Sequence, residues 1–137
     1  MRTEGAVSEA AEVVRTVLAA LNRGDLEAAL RYCADDIVLW APGPSPAGIE
    51  LRGKEALRAF LEASERTWPD SWAAVQRMVS EGEEVAVELV ATATHLGERV
   101  TQPMAAFFTV RDGLIVRQAC YFDLAGLLAL LRERGIA

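Results

Sequence analysis

Apolar residues recur every three or four positions in the first half of the chain and every second position through most of the rest. Between Ser8 and Asn22, residues Ala10, Val13, Val14, Val17, Leu18 and Leu21 fall on one side of a helix. Ser8 suits its N-cap, and Asn22-Arg23-Gly24 suits its end. Asp25 can cap a second, short helix with Leu26, Ala29, Leu30 and Cys33 on one face. Asp35-Asp36 breaks that helix, and Ile37 to Ala41 reads as a strand. Pro42 to Gly48 (PGPSPAG) is too dense in proline and glycine for regular structure. It reads as a loop, either a plain connector or a flap over a pocket mouth. Gly53 starts a third helix with Ala56, Leu57, Phe60, Leu61 and Ser64 inward. Trp68-Pro69 ends it, because a residue before proline avoids the helical region.

From Ser71 the period is two. Strands are predicted at Trp72–Ser80 and Val85–His95, around the turn Glu81-Gly82-Glu83-Glu84. Two more, Val100–Val110 and Leu114–Phe122, flank Arg111-Asp112-Gly113, where Asp-Gly is a strong hairpin signal. Asp123 caps a last helix running through Leu127, Leu128 and Leu131. Arg132 and Arg134 complement its dipole, and Gly135 suits its stop. Helices segregated from an antiparallel run of strands predict an α+β fold, not α/β. Nothing repeats and no second domain emerges, so residues 1–137 read as one domain with its core at about 8–131.

Composition narrows the partners. A chain of 137 residues, 52% hydrophobic and 25% charged, is ordinary for a folded domain. Its net charge of -6 disfavours nucleic acid and anionic lipid, both of which call for a basic face. The longest apolar run, Leu124 to Leu131, is far short of the roughly 20 residues of a membrane span. The opening MRTEGAVSEAAE has no apolar h-region and does not resemble a secretory signal. Cys33 and Cys120 make neither a disulfide framework nor a metal-ligand spacing. A cytoplasmic location is the default expectation.

Four segments carry a resemblance: VLAALNRGDLEAALRYCADDIVLW (17–40), RGKEALRAFL (52–61), VAVELVATATHLG (85–97) and FFTVRDGLIVRQACYFD (107–123). In this order they resemble the SnoaL-like branch of the nuclear-transport-factor-2-like superfamily. Polyketide cyclases, limonene-epoxide hydrolases and ketosteroid isomerases belong to that superfamily. The resemblance implies a cone-shaped, curved antiparallel sheet wrapped around helices, with a pocket at the wide end and a dimer through the outer sheet face. It implies no metal and no organic cofactor. It also shows what is missing. The isomerase base would stand at Ala41, before Pro42; its tyrosine donor at or near Val17; its protonated aspartate at Ala105. The acid of the cyclases and epoxide hydrolases would stand at Cys120, three residues before Asp123.

Alternation along the strands assigns faces. Aligned by those motifs, Leu89, Ala91, Ala93 and His95 point inward, followed by Pro103, Ala105 and Phe107, then Val116, Gln118, Cys120 and Phe122. Val17, Leu21, Phe60 and Leu61 face them from the helices. The wall is apolar with a few polar atoms, as small-molecule sites are. The ligand-binding set is therefore Val17, Trp40, Phe60, Leu61, Leu89, Ala91, Ala105, Phe107, Cys120 and Phe122.

His95, the one histidine, is the candidate acid/base, or else an idle strand-end residue. Gln118 is the candidate orienter of a carbonyl or water, or else satisfies a backbone group. Cys120 is a nucleophile or a small buried hydrophobe; Cys33 reads as core. Trp40, Trp68 and Trp72 pack a core or rim a pocket. Glu88, Thr92, Ala106, Phe108, Ala119 and Tyr121 fall on the other face, as an expected homodimer surface. Asp123 reads as a helix cap, and Asp35, Asp36, Glu83 and Glu84 as solvated turn acids. Two functional readings stay open: a cofactor-independent isomerase, cyclase or hydrolase acting on a small apolar or cyclic molecule, and a non-catalytic binding or dimeric scaffold protein.

Overall fold

The computed structural model describes residues 8–135. Residues 1–7, which carry most of the reading against a secretory signal, lie outside the described residues. Helix α1 (Glu9–Asn22) starts where the Ser8 hydroxyl accepts the Ala11 N–H at 3.0 Å. Asp25 does the same for α2 (Leu26–Leu30), accepting from Ala28 at 3.1 Å. Asp123 caps α4 (Leu124–Glu133), accepting from Gly126 at 2.8 Å. Each short polar side chain satisfies an N–H that the helix itself leaves free. Helix α3 (Lys54–Thr67) follows Gly53, whose φ of 96° a side chain would oppose. It ends at Trp68, whose N–H returns to the Ser64 carbonyl at 2.8 Å.

The strands are β1 (Cys33–Ala41), β2 (Ile49–Arg52), β3 (Trp72–Glu81), β4 (Glu84–His95), β5 (Glu98–Arg111) and β6 (Leu114–Tyr121). They form one six-stranded sheet in the order β2-β1-β6-β5-β4-β3. The expected α+β fold with a curved sheet is present. Pairing is antiparallel throughout except between β1 and β6, which run parallel because the β3–β6 meander brings the chain back beside β1. Cys33 opens β1 instead of closing α2, and Asp35 and Asp36 lie within that strand at a register irregularity. Strand β2 has only four residues of alternation beside the proline-rich loop, too few to signal itself.

Register breaks at Cys33/Val38, Val75/Arg77 and Thr109/Val110 bend the sheet. Helix α1 crosses the concave face against β3 to β6, while α3 packs on β1, β2 and α2. The tightest packing lies toward the β3–β4 and β5–β6 turns. There Val14, Leu30, Ile37, Val85, Phe108 and Ile115 are each less than 2% exposed.

Facing on β5 differs from the sequence expectation. Directly paired residues point to the same side of a sheet. Leu89 pairs with Met104, and Ala91 with Gln102, so the even-numbered residues of β5 face inward. Ala106 and Phe108, expected on the outer face, are 2% and 1% exposed in the core. Pro103, Ala105 and Phe107, expected inside, stand on the convex face. The cause is the two-residue Leu96-Gly97 turn: it pairs His95 with Glu98, so odd faces even across the hairpin. The bulge at Thr109/Val110 then restores even-with-even pairing, Phe108 with Gln118 and Ala106 with Cys120. It also pairs Ile115 with Val110, so Ile115 takes the inward place expected for Val116.

Candidate functional site

The inward positions of β4 read Val85, Val87, Leu89, Ala91, Ala93, His95. The first three fill the core, and the two alanines leave room. A cavity of about 500 Å³ opens there, between the concave sheet and helices α1, α3 and α4. Of the residues read from sequence as ligand-binding, Val17, Phe60, Leu61, Ala91, Cys120 and Phe122 line it, together with Gln118. Leu89 faces the same way but is sealed in the core at 4% exposure.

Three expected wall residues lie elsewhere. Ala105 and Phe107 face outward for the parity reason given above. Trp40 pairs with Ala119 on the convex side, and its ring lies 4.8 Å from that of Tyr121. Its Nε1 donates to the Ala47 carbonyl at 2.8 Å. Gly48 presses on the same indole so closely that a Cβ would sit 2.4 Å from it. The 42–48 loop is thus tied to Trp40, and none of its residues lines the cavity.

Sequence reasoning missed Gln102, Met104 and Val100 from β5 and Leu127 of α4, and left Trp68, which lines the cavity, between core and pocket rim. The signal for the first three was present in Leu96-Gly97. A glycine preceded by one residue between two alternating runs marks a two-residue hairpin, and this fixes the parity of the second strand against the first.

Two polar side chains converge from neighbouring strands. Gln118 Nε2 donates to Cys120 Sγ at 3.2 Å, and Gln102 Nε2 donates to the Asp123 carbonyl at 3.3 Å. Burial pushes the Cys120 thiol above its ordinary pKa, with the Gln118 contact opposing weakly. Burial also takes Cys33 up to about 11, against a smaller opposing pull from Lys54. Both sulfurs are therefore thiols, not thiolates, at neutral pH.

His95 shares the concave side with Gln118 but stands at the rim and does not line the cavity. Its ring packs on Trp68 with centroids 5.5 Å apart. Its Nε2 is closed off from solvent and has no hydrogen-bond partner among the described residues. The rim is braced around it. Asp70 accepts the Thr94 N–H at 3.0 Å, and hydrogen bonding from the Thr94 side chain, then from its backbone, holds the Asp70 carboxyl below its usual pKa. Arg134 donates to the His95 carbonyl at 3.2 Å and pairs with Glu98 at 2.6 Å.

Among the described residues no carboxylate lines the cavity. Ala41, Val17 and Cys120 occupy three of the positions where relatives would carry catalytic groups, and all three line it. The fourth, Ala105, faces out, and its inward neighbours are Met104 and Ala106, neither of them acidic. Glu88 lies on the convex face, paired with Arg77 at 2.9 Å. Among the described residues no group of three His, Cys, Asp or Glu side chains could hold a metal, and no helix is long and apolar enough to cross a membrane.

Comparison with known proteins agrees with this architecture. The chain resembles wild-type IdmH from Streptomyces antibioticus, a candidate polyketide cyclase. The identity is 29% and the TM-score 0.77, over 91% of this chain and 99% of that one. A candidate polyketide cyclase from Xanthomonas campestris pv. campestris is 27% identical with a TM-score of 0.74, over 88% and 95% of the two chains. An NTF2-like protein of unknown function from Burkholderia pseudomallei K96243 has the same fold: 23% identity and a TM-score of 0.81, over 90% and 98%. No curated protein matches the chain significantly. The sequence pattern of the SnoaL-like domain matches residues 14–118. With a match over most of its length and an open, curved sheet facing an apolar cavity, the chain belongs to the SnoaL-like family.

Proposed function

We propose that the chain binds a small apolar or cyclic molecule in the concave cavity, with Gln118 fixing one polar atom of the guest. The supporting observation is the step from Val87 and Leu89 to Ala91 and Ala93 along β4. It leaves about 500 Å³ unfilled beside a well-packed core, within the range of small-molecule sites. The resemblance to candidate polyketide cyclases suggests a ring-forming or ring-bearing molecule, and the reading calls on no metal or organic cofactor. The test is titration of the protein with bicyclic and tricyclic hydroxyarenes, followed by amide chemical shifts. Shifts confined to Ala91, Ala93, Gln118 and Cys120 are expected. Shifts only on the convex face would overturn the reading.

A second reading, cofactor-independent proton transfer by His95, is favoured by one observation: its buried Nε2 has no partner among the described residues. A guest that displaced the Trp68 ring would meet that nitrogen. The His95→Ala variant would then lose turnover while keeping its fold and its affinity for the guest. Unchanged turnover would end the assignment.

We also propose a homodimer through the convex face. Trp72, Val79, Phe107 and Tyr121 are 53%, 66%, 46% and 47% exposed there. Sedimentation equilibrium showing monomer alone at micromolar concentration would remove this claim.

A further inference from the structure

We propose that the cavity selects an uncharged molecule bearing a hydrogen-bond donor and excludes carboxylates of the same shape; this rests on the binding reading above. No lysine, arginine, histidine, aspartate or glutamate is among the described residues lining it. An anion entering would give up water and meet no counter-charge. Arg66, next in sequence to the lining Thr67, is exposed and does not line the cavity, and two other arginines near the bordering helices are already engaged. Arg58 pairs with Glu27 and Glu55, and Arg134 pairs with Glu98.

The fixed dipoles point the same way. Ser64, Thr67 and Trp68 line the cavity from the last turn and C-cap of α3, which is the negative end of that helix. Gln118 and Gln102 both use their Nε2 groups within the protein. Their side-chain carbonyl oxygens accept no hydrogen bond among the described residues and are the polar atoms left for a guest. A hydroxyl or N–H finds acceptors there; a carboxylate finds more partial negative charge. Among the described residues, the titratable lining groups are Cys33 and Cys120, which contribute no charge at neutral pH.

The experiment compares three probes on one ring system by isothermal titration calorimetry at pH 7: 2-naphthol, 2-methoxynaphthalene and 2-naphthoate. We expect 2-naphthol to bind at least a hundredfold more tightly than 2-naphthoate and several-fold more tightly than the methyl ether, which has no donor. Gln118→Leu should narrow the gap between naphthol and its ether. Phe60→Arg, at the half-open mouth, should raise naphthoate affinity relative to naphthol, and its exposed position makes a folded variant achievable. Naphthoate binding as tightly as naphthol would overturn the charge selection and leave the binding reading standing. Binding by none of the three would remove the binding reading and this inference with it.

Discussion

Leu96 is the residue least at ease with its backbone. It sits at φ 50° in the β4–β5 turn with its side chain 61% exposed. The equivalent turn between β5 and β6 uses Asp112 at φ 53° followed by Gly113. A left-handed conformation strains a leucine and suits Asn or Asp. Leu96→Asn should therefore stabilise the protein by about 0.5–1 kcal/mol, read as an increase in the urea midpoint at constant slope. Phe108 lies at the other extreme, 1% exposed, and Phe108→Ala should cost about 3–5 kcal/mol in the same measurement. Cys120 makes a chemical prediction. Its raised pKa lowers the thiolate fraction at any given pH. In a Cys33→Ala background, iodoacetamide should label it more slowly than it labels a free cysteine at pH 8, and the rate should climb at a higher pH. Labelling as fast as the free thiol would contradict the environment described. Cys33, raised to about 11, carries a stability consequence as well. Its contribution is complete below the unfolded-state pKa and is lost as pH rises toward 11, so Cys33→Ala should flatten the alkaline decline.

At the level of elements, the sequence was legible where local chemistry decides and opaque where counting across turns decides. The caps Ser8, Asp25 and Asp123 and the α3 stop at Trp68 all lie where their residue types point. The facing of β4 followed from its own alternation. The facing of β5 did not, because it depends on how many residues the Leu96-Gly97 turn holds, and one unit of error there exchanges the two faces. That error moved Ala105 and Phe107 into the wall and Ala106 and Phe108 out of the core. Trp40 was read by its bulk, whereas its facing is set by pairing with Ala119 beyond a register break in β1. Helix α4 illustrates a different limit. It has no fully buried residue, and it is held at one end by Gln102 on the Asp123 carbonyl and at the other by Arg134 on Glu98 and the His95 carbonyl. Such tertiary ties between remote residues leave no periodic trace. Arg134→Ala should increase amide exchange along α4 several-fold while leaving β4 and β5 protected; uniform protection would show that the tie is idle.

For the whole molecule, the division of the concave face matters more than any one contact. One end is packed solid by β-branched and aromatic side chains, and the other is left open by alanines. Filling the open end should therefore push stability and recognition in opposite directions. Ala91→Leu gains buried apolar contact of roughly 1 kcal/mol or more if the side chain fits the vacant volume, and it occupies the space a guest would take. A melting temperature that rises while affinity for 2-naphthol disappears is the expected pair of results. A rise in melting temperature with affinity intact would place the guest elsewhere.

The indole of Trp68 packs against the rim histidine and is also part of the cavity lining. Anything large enough to fill the chamber must lean on this ring. The occupant's size, and not only its polarity, would then govern whether the imidazole packed on the ring ever meets it. On the proposed reading, small guests would leave that nitrogen secluded and bulky ones would uncover it, so proton exchange at His95 would depend on the size of the guest.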